Sequence, residues 1–287
     1  MGVQYKIMTN KKFILNADDF GMSQDYNRAV LVGYEDGFLR SASICANGPS
    51  FESAINEILP ECQELSLGVH LNIIEGKSLT HCPLLTDEKG NFNNGYLAMI
   101  LKSNNREFLS QTEKEFRAQI ERVQAVAKPD HIDSHVHVHA IPPIFKLVCR
   151  LAKEYKIPYV RTQNEILYAV DNKKKTCTLA YGVNIIKNLL LKFFTMQNKK
   201  LLSQYELKTN DYLIGVCYTA MMNSQTLEEG LKAIEGDNII TECLIHPKNY
   251  AIKKDDHHAE EFKLSRDKLL QDTIYRLGFE ISNHKNL

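Results

Sequence analysis

The stretch Lys12-Phe-Ile-Leu-Asn-Ala-Asp-Asp-Phe-Gly-Met-Ser23, with the segment that follows it to Gly37, decides the fold. Lys12–Ala17 is an apolar run of strand length that stops at Asp18-Asp19-Phe20-Gly21. Ser23–Asp36 then reads as a helix, with Ser23 as N-cap and Gly37 as a left-handed stop. The same unit recurs outward from there. Ser41–Ala46 predicts a strand ending at Asn47-Gly48-Pro49, followed by a helix from Phe51 to Leu59 and a strand over Leu65–Leu71. Farther on, His131–Val138 predicts a strand before a helix opened by Pro142-Pro143, and Ile157–Arg161 predicts the next strand. Ile214–Tyr218, a helix over Leu227–Glu235 and a strand over Ile239–Ile245 continue the alternation. A final helix is expected from Ser265, then a short strand over Phe279–Ser282. Seven or eight strand–helix repeats imply an α/β protein with a parallel sheet, and closure into a (β/α) barrel is the most economical arrangement. The barrel is expected to be TIM-like, distorted or seven-stranded, and to form one domain over residues 1–287.

Two stretches interrupt the pattern. Residues 73–109, with Gly76, Gly90, Gly95 and several Asn, form an irregular excursion. After it Ser110-x-x-Glu113 is a capping box that opens a helix carrying Phe116, Ile120, Val123 and Ala127 at helical spacing. Residues 162–210 form a second excursion, helical around 183–206. Its stripe of Val183, Ile186, Leu190, Phe193 and Phe194, interleaved with Lys187 and Lys192, suits a helix packed across the barrel or at a homodimer contact better than a lipid surface.

Composition excludes several classes. Lys+Arg and Asp+Glu number 35 each, so no global charge invites nucleic acid or an anionic membrane. Lys173–Lys175 is too short a basic run to change that. Met1–Lys12 is polar and is not expected to be a signal peptide, and Val183–Met196 is broken by Lys187, Asn188 and Lys192 before it reaches membrane-spanning length. The seven cysteines are scattered, with no CxxC, which favours reduced thiols and a cytoplasmic location.

In a parallel barrel the C-terminal strand ends gather on one face, where active sites sit. Here those ends carry Asp18-Asp19, Asn47, His70 and Asn72, Asp133 with His135–His139, Arg161 and His246. Adjacent side chains on an extended segment point opposite ways, so Asp18 and Asp19 should divide the work. One would bind a cation while the other sits by water or is held by a hydrogen bond; an Asx-turn is the plain alternative. In His131-Ile-Asp-Ser-His-Val-His-Val-His139, period two puts His131, Asp133, His135, His137 and His139 on one strand face. Four of the ten histidines lie in these nine residues, a density that packing explains poorly. Residues two apart are roughly 6–7 Å apart along a strand, so one is expected to bind a metal, with its neighbours behind it or near substrate. His70 could complete an Asp-His-His set that leaves positions open for water and substrate. His246, before Pro247, is a candidate general acid or base, or a plain loop histidine.

Asn16-Ala-Asp-Asp-Phe-Gly-Met-Ser23, Gly68-Val-His-Leu-Asn72, His131–His139 and Cys243-Leu-Ile-His-Pro247 stand in an order and spacing that resemble the YdjC-like carbohydrate deacetylases, which include chitooligosaccharide deacetylases. The resemblance runs from about residue 12 to 280. It implies a barrel-like fold and divalent-metal hydrolysis of an N-acetyl group on a sugar. By position it implies that Asp19, His70 and His135 hold one metal ion, that Asp18 is the general base and that His246 protonates the leaving amine. It also implies that Asn47 and Arg161 lie near the sugar, as His137 and His139 would in the histidine run. Two histidines favour zinc, whereas a carboxylate and open positions suit magnesium as well. A metal-dependent phosphoesterase or other amidohydrolase, and a sugar-binding protein without turnover, are the competing expectations. The chain departs from many relatives in having Lys248 where they have Gly after His-Pro, and in lacking their aromatic tail.

Overall fold

The computed structural model describes residues 10–171, 176, 178–249 and 256–287. Lys173–Lys175, Cys177, Asp255 and most of the Met1–Lys12 stretch lie outside the described residues. Eight strands are found among the described residues: β1 (Lys11–Phe20), β2 (Ser41–Ile44), β3 (Ser66–Leu71), β4 (His131–Ser134), β5 (Tyr159–Val160), β6 (Tyr212–Ile214), β7 (Ile240–Ile245) and β8 (Phe279–Ile281). Every pairing between them is parallel, in the order β5-β4-β3-β2-β1-β7-β6, with β8 added beside the start of β1. The two ends of this curled sheet meet. Lys208 N donates to Pro158 O (2.9 Å), Val160 N to Lys208 O (3.0 Å) and Leu213 N to Asn164 O (3.0 Å). These bonds between β5 and the approach to β6 close a distorted seven-stranded barrel, the arrangement expected from the repeat pattern.

The helices are α1 (Gln24–Glu35), α2 (Tyr96–Lys102), α3 (Arg106–Gln124), α4 (Pro142–Glu154), α5 (Leu179–Tyr205), α6 (Ser224–Lys232), α7 (His257–Leu264) and α8 (Lys268–Arg276). Ser23 caps α1 as expected, accepting from Tyr26 N. Other boundaries moved. Asn105, not Ser110, caps α3, because its side chain accepts from both Glu107 N and Phe108 N and starts the helix a turn earlier. Ser265 ends α7 instead of opening the last helix, and Asp267 caps α8. Residues 51–61 are helical but pass through π and 3-10 turns. Gly37 is not left-handed: a Cβ there would lie 2.0 Å from Ser265 O, so close backbone approach is what requires glycine.

Alternation along the strands separates two interiors. Phe13, Leu15, Ala17, Ala42, Ile44, Leu67, Val69, Ile132 and Val160 join the apolar layer packed under the helices. Their neighbours Asn16, Asp18, Ser41, Ser43, His70, His131, Asp133, Tyr159, Arg161 and Glu242 meet inside the barrel, where they are buried and polar. Gly68 faces the His131 ring, and a Cβ there would lie 2.2 Å from His131 Nε2. That ring is tied to Asp130 (2.6 Å) and Ser43 (3.0 Å), so it has little room to yield. Gly68→Ala should therefore destabilise the chain by about 1–3 kcal/mol, the usual cost of overpacking. A urea midpoint equal to that of the parent would refute it.

The largest departure is at β4, which stops at Ser134. His135–Ala140 forms a tight helical turn in which Val136 (φ 52°) and His137 (φ 58°) are left-handed. The expected single face of histidines therefore exists only for His131 and Asp133. Ser134 Oγ accepts from His139 N (3.0 Å) and contacts His139 Nδ1 (2.5 Å), pulling the chain back on itself. Ser/Thr side chains compete with ladder bonds in this way.

Candidate active site

At its C-terminal end β1 carries a bulge. Ala17 pairs with Ala42 and Phe20 with Ile44, so Asp18 and Asp19 together stand opposite Ser43 alone. Asp19 is left-handed (φ 65°), a conformation that Asp tolerates better than most residues. The extra residue turns the two carboxylates to different environments.

Asp18 points down the barrel axis to Arg161, which is fully buried. Arg161 Nη1 and Nη2 donate to its two oxygens, each at 2.8 Å, in a forked pair. The same guanidinium reaches Asp133 Oδ2 (2.6 Å) and Glu242 Oε1 (2.7 Å). Asn16 Nδ2 donates a further bond to Asp18 Oδ1 (2.8 Å). Burial alone would raise the Asp18 carboxyl, but the charges of Arg161 and then His70 overcome it and hold it well below the usual carboxylate range.

Asp19 lies between two imidazoles. His135 Nδ1 donates to its Oδ1 at 2.8 Å, and His70 Nε2 lies 3.4 Å from the same oxygen. Burial opposes its charge, yet these two histidines, His135 first, keep it ionised. The other nitrogen of His70 donates to Asp133 Oδ1 (2.7 Å), which fixes ring and tautomer. Despite burial, the Asp133 and Asp18 charges lift His70 to about 10, and the bond to Asp19 lifts His135 to about 9. Cys45 also falls within 4.8 Å of Asp19 and His70 ligand atoms. Burial, followed by the Asp19 and Asp133 charges, pushes its thiol far up, so it stays protonated and behaves as the small core hydrophobe its sequence suggested.

His246 follows β7 directly, and its side chain is 27% exposed. Its backbone N donates to Glu261 Oε2 (2.5 Å), and its Nδ1 lies 3.3 Å from that oxygen. Burial works against a charged ring here, but the Glu261 carboxylate outweighs it and raises the His246 value. Asp19, His135, His246, Glu75, Tyr26 and His258 line a cavity of about 440 Å³ at the barrel mouth.

Four expected sugar contacts are placed elsewhere. Arg161 and His139 are wholly buried, which leaves them no surface for a sugar. His139 is held by Ser134 and by Arg161 O (3.0 Å). His137 is turned inward by its left-handed backbone; its Nδ1 has no partner among the described residues, and burial keeps the ring neutral. Asn47 donates to Glu75 O and Lys77 O (3.1 Å each), so it anchors the loop that brings Glu75 to 3.3 Å from His135 Nε2. Sequence reasoning passed over Asp133, Glu242, Glu75 and Glu261 as partners. Asp133 and Glu242 share the inward strand parity of Asp18, a signal available in the sequence, whereas Glu75 and Glu261 come from segments whose course is not legible there. His257 and His258, expected on a surface loop, instead begin α7 behind the Asp256 cap and line the same cavity.

A closed parallel barrel with an acid–histidine cluster at its C-terminal mouth defines the class of molecule. Within it, the chain matches the YdjC-like protein family over residues 12–276, and it belongs to that family. It is similar to a carbohydrate deacetylase of Brevibacillus brevis, with 38% identity over 51% of this chain and 58% of that one. The matched region thus spans little more than half of that relative's length. A chitooligosaccharide deacetylase of Yersinia pestis bv. Antiqua is 27% identical over 77% of this chain and 94% of its own. In fold, the chain resembles an Enterococcus faecalis V583 protein provisionally described as a cellobiose-phosphate cleavage protein, with TM-score 0.72 and 22% identity across 97% of this chain and 99% of that one. No helix among the described residues is long and apolar enough to cross a membrane.

Proposed function

We propose that this chain hydrolyses the N-acetyl group of an amino sugar or short oligosaccharide with the help of one divalent cation. The observation that carries the reading is the Asp19 carboxylate set between His70 and His135 at the cavity floor, with Asp18 and His246 beside it. One carboxylate and two imidazoles, one of them backed by the Asp133 carboxylate, suit zinc or magnesium. Asp19, His70 and His135 would hold the ion, which when bound polarises the acetyl carbonyl and acidifies water.

The chain's own groups then divide the proton work. Asp18 accepts the proton of the attacking water; its fixed negative charge, locked by Arg161, keeps it available as an acceptor at all working pH values. His246, kept protonated by Glu261, delivers a proton to the sugar nitrogen as the carbon–nitrogen bond breaks. Water oxygen ends on acetate, and the sugar leaves as the amine. Glu75 lies where it can orient His135, and Tyr26 offers a ring at the cavity wall.

Incubating metal-loaded protein with a panel of N-acetylated mono- and oligosaccharides should release free acetate and expose a primary amine. Release of phosphate from sugar phosphates with two metal ions per chain would point instead to a phosphoesterase, and tight sugar binding without acetate to a protein that does not turn over. A finer test concerns His246. A group raised above its ordinary value is protonated until pH passes that raised value, so activity should fall on the alkaline side. Glu261→Gln removes the cause of the raise, and the alkaline limb of the kcat profile should move to lower pH while metal content stays the same. An unmoved limb would refute the role of His246 as acid.

A further inference from the structure

α5 is amphipathic the wrong way round for a helix lying on a barrel. Its buried face carries Asn184, Asn188, Thr195 and Asn198 together with Leu191 and Phe194. Several of those polar groups are tied down: Asn198 Nδ2 donates to Ala140 O (2.8 Å), Thr195 Oγ1 accepts from Gln163 N (3.1 Å), and Asn188 Nδ2 donates to Glu165 O (3.3 Å). The opposite face holds Leu179, Val183, Ile186, Leu189, Phe193 and Met196, all more than half exposed and rising to 87% at Leu179. These positions recur every three or four residues and so form one continuous stripe along the helix.

From this we infer that the α5 stripe is an interface for a second copy of this chain, paired antiparallel about a twofold axis near the Lys187–Asn188 step. The stripe maps onto itself under that operation. Leu179 and Met196 lie equally far from the axis, as do Ile186 and Leu189, and small Val183 falls within one residue of the position opposite large Phe193. Self-complementarity of one patch is what a twofold contact demands. The exposed parts of the six side chains amount to ~700 Å² per copy, above the largest apolar patch of most monomers and near the ~800 Å² per partner of a standard interface. Gly182 adds room, since nothing lies within 4 Å of a Cβ built there. A lipid surface is the lesser fit. A helix that lies on a membrane carries basic residues on its polar face beside the apolar one, whereas Lys187 and Lys192 are half-buried and the exposed Lys199 and Lys200 lie beyond one end of the stripe.

Sedimentation velocity on the full chain at micromolar to tens of micromolar concentration tests this. The parent chain should sediment as a dimer, and Ile186→Glu/Phe193→Glu as a monomer with unchanged far-UV circular dichroism. A monomeric parent, or a dimer that survives both substitutions, overturns the proposal. Should the double variant fail to fold, Leu179→Cys/Met196→Cys supplies the second arm. Antiparallel pairing predicts an intermolecular disulfide on a non-reducing gel that the parent lacks, and failure to form it overturns the pairing. A parent that stays monomeric and co-sediments with vesicles of anionic phospholipid assigns the stripe to lipid and also overturns the proposal.

Discussion

Asp19→Ala and His135→Ala should each lose the bound cation on dialysis and lower acetate release by more than about a thousandfold. The estimate follows from the position of Asp19, whose Oδ1 is 2.8 Å from His135 and 3.4 Å from His70. Removing one charge-stabilising group at a reacting oxygen costs about 10²–10³ in rate, and loss of the ion removes carbonyl polarisation and water activation together. Asp18→Asn separates the two roles of the acidic pair. It should keep near-stoichiometric metal and still lose about 10²–10⁴ in kcat, the usual worth of a general base. Metal content by mass spectrometry and free acetate by a coupled assay decide the matter. Full metal loading and full turnover in Asp19→Ala would remove the basis of the assignment. Loss of metal in Asp18→Asn would show that the pair does not divide its work as proposed.

Arg161→Met should be among the most destabilising single substitutions in the barrel, by about 3–5 kcal/mol, because it leaves buried carboxylates without a counter-charge. Three of them depend on this guanidinium: Asp18, Asp133 and Glu242. The parent holds Glu242 down at about 2 in spite of its burial, chiefly through the Arg161 charge. Carboxylates held low contribute stability that is present above their unfolded values and is lost as pH falls through the folded ones. In the variant the sign reverses, since uncompensated burial raises these groups and they destabilise as they ionise. The deficit measured by urea denaturation should therefore be largest near neutrality and shrink toward about pH 4, where unfolded carboxylates also take up protons. Arg161→Lys should not restore stability, because an ammonium cannot reproduce the forked bonds at 2.8 Å to both Asp18 oxygens. A midpoint for Arg161→Met within error of the parent, at any pH, would show that the network does not hold the barrel interior together.

The alternation of short apolar runs with helical segments was enough to read the parallel barrel from the sequence, since β1, β3 and β7 have the expected parity and bounds close to those predicted. The placing of chemistry at strand ends was also legible, because Asp18-Asp19, His70, His135 and His246 each follow directly on such a run. What failed were inferences that assumed regular geometry past a strand end. Extending β4 through Val138 required period two to persist, but the Ser134 hydroxyl captures His139, and two left-handed residues intervene. The sugar contacts assigned to Arg161 and His139 failed because position along the chain gives no measure of depth in the barrel. Glu75 and Glu261 were out of reach for a different reason. Their roles depend on long-range docking, in one case through Asn47 and in the other through the return of α7.

The bulge in β1 sets conformation against chemistry at a single residue. At φ 65° the backbone at Asp19 would favour glycine or asparagine, and neither brings the anionic oxygen that His70 and His135 enclose. Regularising the strand by removing one residue between Ala17 and Phe20 would restore the ladder to β2 and leave room for only one inward carboxylate. A more comfortable strand and a working pair of acids are thus mutually exclusive outcomes of the same four residues. Substitutions chosen only to relax this segment should select against turnover, so backbone strain at Asp19 marks a limit on how far the fold can be stabilised without losing its purpose.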